Sequence, residues 1–358
     1  MTDTNTLLVT STEEGIGKTA ITLALAKQAQ ESGLSVGYMK PKGTRLQSAV
    51  GKTRDEDPML ARELLGLDSE MHEMEPIVYS PTFIQEAIRG REDPAELRER
   101  VVDNFEALSE DIDLMVLEGS DRLETGGIVD LTDADIAEAV DANVLLVSGY
   151  ATVGDIDEVL DAARTLGDRL AGVLFNGVTD DAMEILTDDV MPFLSGRDVP
   201  VFGALPRVQS LAGVTVEDLS RSIGADVLTN EADTGAHVER FSVGAMGGSA
   251  ALEQFRRTRE AVLITGGDRS EIQTAALESS GIKALVLTGG LRPASAVLGR
   301  AEEENVPILL VQSDTRTTID RVEDVLRSGR TRDEGTVERM QELLVDSGSL
   351  DSLLEPEE

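Results

Sequence analysis

The segment Leu7–Ala26, LLVTSTEEGIGKTAITLALA, constrains the fold more than any other part of the sequence. It begins with an apolar run typical of a buried strand, continues into a loop with glycines, and ends in a stretch rich in alanine and leucine, which favours a helix. A phosphate-binding loop requires this order, because the loop amides and the helix N-terminus then point at one anion. The segment therefore predicts a strand, a phosphate-binding loop and a helix at the start of a parallel α/β sheet.

The loop matches the pattern G-x-x-x-x-G-K-[ST], except that Thr12 stands in place of the first glycine. Lys18 would neutralise phosphate charge, and the hydroxyl of Thr19 would bind Mg²⁺. The alternative is a chance Gly-Lys-Thr in a structural turn. The residues predicted to bind the nucleotide here are Thr12, Gly15, Ile16, Gly17, Lys18 and Thr19.

Composition excludes several kinds of site. The 358 residues include no cysteine and only two histidines, which excludes disulfides, thiolate catalysis and cysteine-bound zinc and disfavours histidine metal sites and catalytic triads. Residues 1–6 are short and polar, unlike a signal peptide, and uncharged runs such as 142–154 fall short of the roughly 20 apolar residues that cross a bilayer. We expect a cytoplasmic protein that does not bind membranes.

The formal net charge of -36 is spread over the whole chain. A nucleic-acid-binding protein would concentrate positive charge in a patch, so nucleic acid is not an expected partner. Arginine is preferred over lysine, and aromatic residues make up only 3% of the chain. This balance resembles that of halophilic proteins from salt-loving archaea, whose self-repulsion is screened by molar salt; a merely acidic mesophilic protein is the alternative.

Apolar runs alternate with amphipathic segments along the chain, as in parallel sheets flanked by helices. The pattern weakens after Pro206 and resumes near Thr215. We therefore predict a nucleotide-binding domain at 1–210, a smaller α/β domain at 213–330, and a short helix with an acidic tail at 331–358 that is either solvated or binds a partner.

The predicted elements follow the same alternation. In the first domain, strands are predicted at 6–10, 35–39, 114–117, 144–147, 172–175 and 199–203, and helices at 19–32, 95–108 and 155–166. In the second, strands are predicted at 261–265, 284–288 and 308–311, and helices at 271–279, 294–303 and 317–326.

Further motifs follow the loop in order: SVGYMKPKGT, LMVLEGS, AGVLFNGV and VFGALPRV. Together with TSTEEGIGKTA, they resemble dethiobiotin synthetase (BioD) and its relatives in the cobyrinic-acid-amidase and MinD group, whose loops also lack the first glycine. With its different second domain, the chain most closely resembles, over nearly its whole length, the BioD-like, non-catalytic N-terminal region of long phosphate acetyltransferases. The resemblance implies a P-loop NTPase fold of the SIMIBI type, with helices on both faces of a parallel sheet, that binds ATP and Mg²⁺.

The resemblance also assigns roles to residues. It implies that Lys40, in a Lys-Pro pair after the second strand, is the catalytic lysine that helps to hold the reacting carbamate and phosphate; a surface lysine is the alternative. It implies that Asn176 reads adenine. It places a carboxylate near Mg²⁺ at Asp55 or Asp57, and Asp57 is preferred because a helix starts directly after it.

Glu118 ends a buried apolar strand, from which a carboxylate can reach Mg²⁺ or its water; an ordinary acid at a strand end is the alternative. The predicted metal ligands are Thr19, Asp57 and Glu118. After LEGS the chain departs from dethiobiotin synthetases, which continue with a Gly-Gly turn, because it has DRLETGG instead. This insertion enlarges or re-aims the loop over the site.

The second domain carries two glycine pairs at strand ends, in LITGGDRSEI and LVLTGGLRP. Such pairs either form tight turns or present amides to an anion. Gly267-Asp268-Arg269 followed by Thr288-Gly289-Gly290 resembles the signature of the DRTGG domain, which accompanies nucleotide-sensing and phosphotransfer modules. Arg269 and Arg292 are candidate contacts for a small metabolite or anion. Since phosphate acetyltransferases carry their catalytic domain after this one, we expect no acetyl phosphate synthesis by this chain alone.

Three functions are compatible with these residues. The first is a regulatory protein that senses nucleotide and a second ligand, at most a weak ATPase. The second is an ATP-dependent ligase that activates a carboxylate or carbamate by phosphorylation. The third, a dimeric MinD-like ATPase switch, ranks last because such proteins have a lysine early in the loop, where this chain has Thr12 and Glu13. The substrate and any homo-oligomer are left open.

The charge generates a first prediction, that folding requires salt. At about 1 M salt the Debye length is about 3 Å, and at 0.01 M it is about 30 Å, so dilution restores repulsion between the carboxylates. We expect the helical circular dichroism signal and the midpoint of thermal unfolding to fall on dilution from molar KCl. A chain that stays folded and equally heat-stable at low salt would contradict the halophile interpretation.

Overall fold

The structure, a computed structural model, describes residues 4–44, 46–49, 52–244, 248–328, 334–347 and 353. The chain forms two compact units. Unit 1 comprises residues 1–208 and 331–358, and unit 2 comprises residues 209–330. Among the described residues, no helix combines the length and apolar character needed to cross a bilayer.

Unit 1 alternates strands with helices. Its strands are β1 (Asn5–Ser11), β2 (Val36–Met39), β3 (Lys42–Gly43), β4 (Leu46–Ala49), β5 (Lys52–Asp55), β6 (Ile77–Val78), β7 (Leu114–Glu118), β8 (Asn143–Ser148), β9 (Leu170–Val178) and β10 (Val201–Pro206). The helices in the same stretch are α1 (Lys18–Glu31), α2 (Glu56–Leu65), α3 (Met71–Met74), α4 (Pro81–Ile88), α5 (Pro94–Leu108), α6 (Asp133–Ala139), α7 (Ile156–Leu166), α8 (Asp180–Ile185) and α9 (Met191–Ser195).

Six of these strands form one parallel sheet in the order β10-β9-β8-β1-β7-β2. Successive side chains of β1 face opposite sides, and Leu7, Leu8 and Val9 are all at most 1% exposed. Leu8 packs in the cluster with α5 and α7, whereas α1 lies against the sheet at β1, β7 and β2. Burial on both faces explains the continuous apolar run of β1 and confirms the predicted parallel sheet with flanking helices.

Local signals explain where the main helices begin and end. Gly17, before α1, has a φ of 88°, and Gly33, just after its end, has a φ of 93°. Both angles lie in the left-handed region that favours glycine. The α5 helix begins with Pro94, and the side chain of Asp93 accepts a hydrogen bond from the amide of Ala95. A proline in the first turn after a capping aspartate is a strong start signal.

Unit 2 is a smaller α/β domain. Its helices are α10 (Gln209–Ala212), α11 (Val216–Ile223), α12 (Gly248–Phe255), α13 (Ser270–Leu277), α14 (Ser295–Glu303) and α15 (Thr315–Ser328). Its strands are β11 (Val214–Thr215), β12 (Asp226–Val227), β13 (His237–Val238), β14 (Arg240–Val243), β15 (Ala261–Gly266), β16 (Ile282–Thr288) and β17 (Ile308–Leu310). The sheet order is β12-β17-β16-β15-β14, parallel except for β12.

The chain returns to unit 1 in α16 (Glu334–Ser347), which packs against α1. The buried residues of α16 are Val337, Met340 and Leu344, at the spacing of one helical face. At the rim, Lys27 of α1 pairs with Glu338 at 3.2 Å. The helix is therefore not a solvated terminus, one of the two interpretations above. It is part of unit 1, and unit 2 is inserted before it.

Removal of a buried side chain from α16 should destabilise unit 1. Leu344 is 2% exposed, so Leu344→Ala should lower the free energy of unfolding by about 2–5 kcal/mol. The adjacent Val345 is 54% exposed, and Val345→Ala should change it by less than about 0.5 kcal/mol. Urea unfolding in molar KCl measures both. Equal effects of the two substitutions would mean that α16 does not pack as described.

Candidate functional site

The phosphate-binding loop, residues 12–17, joins β1 to α1. Gly15 and Gly17 have φ values of 74° and 88°, so the two positions with a left-handed backbone are occupied by glycine. Thr12 lies outside that region. Its amide donates to the carbonyl of Val147 at 3.2 Å, and its hydroxyl lies 3.0 Å from that of Ser148. Threonine at position 12 therefore anchors the loop to β8, and a glycine there is not required.

The two residues after the loop reach towards β7. The Nζ of Lys18 donates to the carbonyl of Ser120, directly beyond β7. The hydroxyl of Thr19 donates to Oε1 of Glu118 at 2.7 Å, and the hydroxyl of Tyr38 donates to Oε2 at 2.7 Å. Two hydroxyl groups thus fix the orientation of the Glu118 carboxylate beside the loop.

Lys40 lies among three buried carboxylates. Its Nζ contacts Oδ2 of Asp57 and lies 3.0 Å from Oδ2 of Asp55 and 3.5 Å from Oε1 of Glu118. All four side chains are at most 2% exposed. Burial disfavours the charged form of Lys40, but the surrounding carboxylates outweigh it and raise the pKa of Lys40 above its usual value. The structure thus brings together four predicted or candidate site residues, and Lys40 is not a surface lysine.

Lys40, Asp55, Asp57 and Glu118 form a lysine–carboxylate cluster with three carboxylates and one ammonium group. Burial and the neighbouring Asp57 raise the pKa of Glu118, while Lys40 and Lys18 oppose that rise. Hydroxyl and carboxylate oxygens, as on Thr19, Asp57 and Glu118, are the hard donors that Mg²⁺ prefers. Within the described ranges, no group of three or more His, Cys, Asp or Glu side chains could hold a metal ion by itself.

A second buried ion pair lies next to the cluster. The Nζ of Lys42 is 3.1 Å from Oδ1 of Asp133 and also donates to the carbonyls of Thr125 and Leu131. Burial lowers the pKa of Lys42, and Asp133 opposes that change. The carbonyl contacts hold the loop that contains DRLETGG, in which the sequence departs from dethiobiotin synthetases.

Asp133 extends this contact network to β1. Its carboxylate accepts hydrogen bonds from the hydroxyl of Thr10, at 2.7 Å, and from the amide of Ser120, at 3.0 Å. It therefore connects β1 to the residue that Lys18 contacts. The sequence interpretation missed Tyr38, Ser120 and Asp133. A period of two along β2 would have placed Tyr38 on the face of Lys40, whereas no local signal identifies Asp133.

Asn176 lies on the other side of the phosphate loop. Its Nδ2 donates to the carbonyl of Ile16 at 2.7 Å. A Cβ added to Gly17 would lie 2.6 Å from the same Nδ2, so glycine is needed for this close approach. The structure places Asn176 against the loop, and its contact with adenine remains a prediction.

In unit 2, the glycine pair of LVLTGGLRP adopts a left-handed backbone, with φ values of 79° at Gly289 and 68° at Gly290. Arg269 donates to the carbonyl of Gly244 and so ties the turn after β15 to the end of β14. Arg292 is exposed. An anion contact by either arginine remains a prediction.

Two family models match the chain. Residues 5–215, more than half of the chain, match the family model AAA_26, described as an AAA domain, and residues 218–325 match that of the DRTGG domain. The phosphate acetyltransferase of Haemophilus influenzae is 25% identical over an alignment of 348 residues, and the match covers 87% of this chain and 47% of that protein. The ATP-dependent dethiobiotin synthetase BioD of Methanococcus vannielii is 28% identical over 182 residues, 49% of this chain and 80% of that protein.

The chain thus spans about half the length of the phosphate acetyltransferases it matches. Among solved structures, the MinD cell division protein of Aquifex aeolicus is similar at a TM-score of 0.35 and 16% identity, covering 58% of this chain and 84% of that chain. At this TM-score the similarity has no bearing on function.

Removal of the Lys40 ammonium group should destabilise unit 1 in a pH-dependent way. Lys40→Met leaves buried carboxylates without their cation, which should cost about 3–5 kcal/mol at pH 7. Without Lys40 the pKa of Glu118 rises further above its unfolded value, so the folded variant binds protons more readily than the unfolded chain. The loss relative to wild type should therefore shrink between pH 7 and pH 5, as urea unfolding in molar KCl can show.

Lys283→Met is the matched control, because Lys283 pairs with Glu260 at 3.5 Å on the partly exposed surface of unit 2. Lys283→Met should lower the free energy of unfolding by less than about 1 kcal/mol, and this loss should be nearly independent of pH between pH 7 and pH 5. A loss for Lys40→Met that equals the control, or that grows on acidification, would refute the cluster as a buried charge network.

Proposed function

The chain belongs to the AAA domain family, and we propose that it is a regulatory protein that binds ATP and Mg²⁺ in unit 1 and a small metabolite or anion in unit 2. In this proposal it is related to the non-catalytic N-terminal part of phosphate acetyltransferase. One observation carries it most: the phosphate loop and the lysine–carboxylate cluster meet at the carboxyl ends of β1, β2 and β7. Ligands of open parallel sheets bind at this edge.

Each group of the loop has a role in this proposal. The amides of the loop and of the first turn of α1 would bind phosphate oxygens, and Lys18 would exchange the carbonyl of Ser120 for a phosphate oxygen. Thr19, Asp57 and Glu118 would hold Mg²⁺ or its waters. The bound Mg²⁺ would neutralise charge on the β- and γ-phosphates.

An ATP-dependent ligase is the second candidate, favoured by the burial of Lys40 beside the loop. In that reaction an oxygen of a substrate carboxylate or carbamate attacks the γ-phosphorus, the bond to the bridging oxygen breaks, and ADP leaves. Lys40 would then stabilise the transferred phosphoryl group. However, three carboxylates already surround Lys40, which leaves little positive charge for a substrate anion. We therefore rank the regulatory function first.

The surface charge supports a further proposal, adaptation to high salt. Acidic residues such as Glu96, Glu99 and Asp103 lie at exposed positions of α5, and the formal net charge is -36 over 358 residues. Screening by molar salt would relieve this repulsion. The salt-dependent folding described above tests it.

Lys18→Ala should weaken ATP binding. It removes a charge-assisted contact to phosphate worth about 1.5–3 kcal/mol, which corresponds to a loss of roughly tenfold to a hundredfold in affinity. Titration calorimetry with ATP and Mg²⁺ in molar KCl measures the loss, with Lys283→Ala as the control that should bind like wild type. Equal affinity in wild type and Lys18→Ala would show that the loop is only a structural turn.

Turnover by the full chain should separate the two candidate functions. Truncation after residue 210 cannot isolate unit 1, because α16 belongs to that unit. For the regulatory protein we expect ATP hydrolysis below about 1 s⁻¹, the lower end of usual enzyme rates, with no stimulation by acetate or by a diamine with bicarbonate. Phosphate release that one of these acceptors stimulates strongly would establish the ligase instead.

A further inference from the structure

The two oxygens of the Glu118 carboxylate have different surroundings. Oε1 accepts a hydrogen bond from the hydroxyl of Thr19 at 2.7 Å and lies 3.5 Å from Nζ of Lys40. Oε2 accepts from the hydroxyl of Tyr38, also at 2.7 Å. Because Glu118 is 1% exposed, protein groups rather than bulk water must hold it. Thr19 therefore fixes one oxygen of the carboxylate and Tyr38 fixes the other.

The sheet determines the position of Tyr38. β2 pairs with β7 in parallel, with Tyr38 opposite Val116. Glu118 follows Val116 by two residues on β7, so the side chains of Tyr38 and Glu118 lie on the same face of the sheet. Tyr38 is 1% exposed, and close packing around a buried ring restricts where its hydroxyl can lie. A neutral phenol in this place donates its proton to the carboxylate.

The position of Lys40 shows what this contact prevents. Nζ of Lys40 lies 3.0 Å from Oδ2 of Asp55 but 3.5 Å from Oε1 of Glu118. Without the donor at Oε2, the buried carboxylate would turn towards this ammonium group, because a buried charge that loses a partner is costly. Glu118 would then pair fully with Lys40 and move away from Thr19.

We propose that Tyr38 is a positioning residue for Mg²⁺, whose hydroxyl keeps Glu118 next to Thr19 and out of a full ion pair with Lys40. The inference rests on the proposed function, in which Thr19, Asp57 and Glu118 hold Mg²⁺ or its waters. Groups that orient the ligands of a metal influence its affinity without touching it, and their removal typically lowers that affinity about tenfold to a hundredfold. Tyr38 would thus act on the metal and not on the phosphates.

The test is titration calorimetry of the full-length protein with ATP in molar KCl, once with Mg²⁺ and once with EDTA. Tyr38→Phe removes only the hydroxyl, so it should weaken ATP binding about tenfold with Mg²⁺ and leave the affinity in EDTA unchanged. Tyr150→Phe is the matched control, because it removes the same group from another buried tyrosine of unit 1, whose ring packs against Phe175. It should bind like wild type under both conditions. In a Glu118→Gln background, Tyr38→Phe should cause no further Mg²⁺-dependent loss.

A spectroscopic measurement decides the matter if Tyr38→Phe fails to fold. The chain has three tyrosines and no tryptophan, so tyrosine dominates its near-ultraviolet absorption. In the double variant Tyr79→Phe/Tyr150→Phe, Tyr38 supplies the whole tyrosine signal. Mg²⁺ with tripolyphosphate, which carries no absorbing base, should shift this band, whereas tripolyphosphate in EDTA should not. Binding without a Mg²⁺-dependent shift would overturn the inference.

Each other outcome decides against a defined claim. A loss of the same size with and without Mg²⁺, an equal loss in Tyr150→Phe, or a further loss in the Glu118→Gln background would make Tyr38 a packing residue and overturn the inference. Wild-type affinity in Tyr38→Phe would overturn it as well. Wild type that binds ATP equally in Mg²⁺ and EDTA would refute the metal part of the proposed function, and wild type that binds no ATP would refute the nucleotide part. In either case the inference falls with it, and wild type alone shows that failure.

Discussion

The charge balance around Lys40 is the constraint on which the rest of the site depends. A buried ion costs several kcal/mol in lost hydration, so one ammonium group and three carboxylates can share an interior only as a connected set. They come from the end of β2, the start of α2 and the end of β7, and the cluster therefore fixes these three elements together. Asp55 has two tasks, because it also caps α2 by accepting from the amide of Asp57 at 2.9 Å. Removal of one member should therefore disturb all three elements.

The last helix of unit 1, α16, follows unit 2 in the sequence. α16 packs on the helix that follows the phosphate loop, so the loop is supported by residues from both ends of the sequence. The Gly17 backbone lies close to the Cε methyl of Met340, so removal of α16 would uncover the helix that begins at the phosphate loop.

The sequence predicts those features that depend on local order. The loop, its strand and its helix follow from one segment, and Lys40 and Glu118 converge because both lie at carboxyl ends of neighbouring parallel strands. The contact between Lys42 and Asp133 was beyond prediction, since 91 residues separate them and the pairing depends on how a loop folds back. The docking of α16 was missed for the same reason: its apolar face is short, and the sequence does not show which surface it covers. The small strands β3 to β6 were missed because they lie in a polar stretch with weak alternation.

The loop after β7 affects the energetics of the phosphate site. In the described structure Lys18 already has an acceptor, the carbonyl of Ser120, and Asp133 holds the amide of that same residue at 3.0 Å. Lys42 fixes the remainder of the loop through two carbonyls. In the proposed function a phosphate would compete with the positioned oxygen of Ser120 for the ammonium group of Lys18, so the loss of affinity in Lys18→Ala should lie near the tenfold end of the range given above. If the chain binds nucleotide as proposed, this competition would couple nucleotide affinity to the position of the loop.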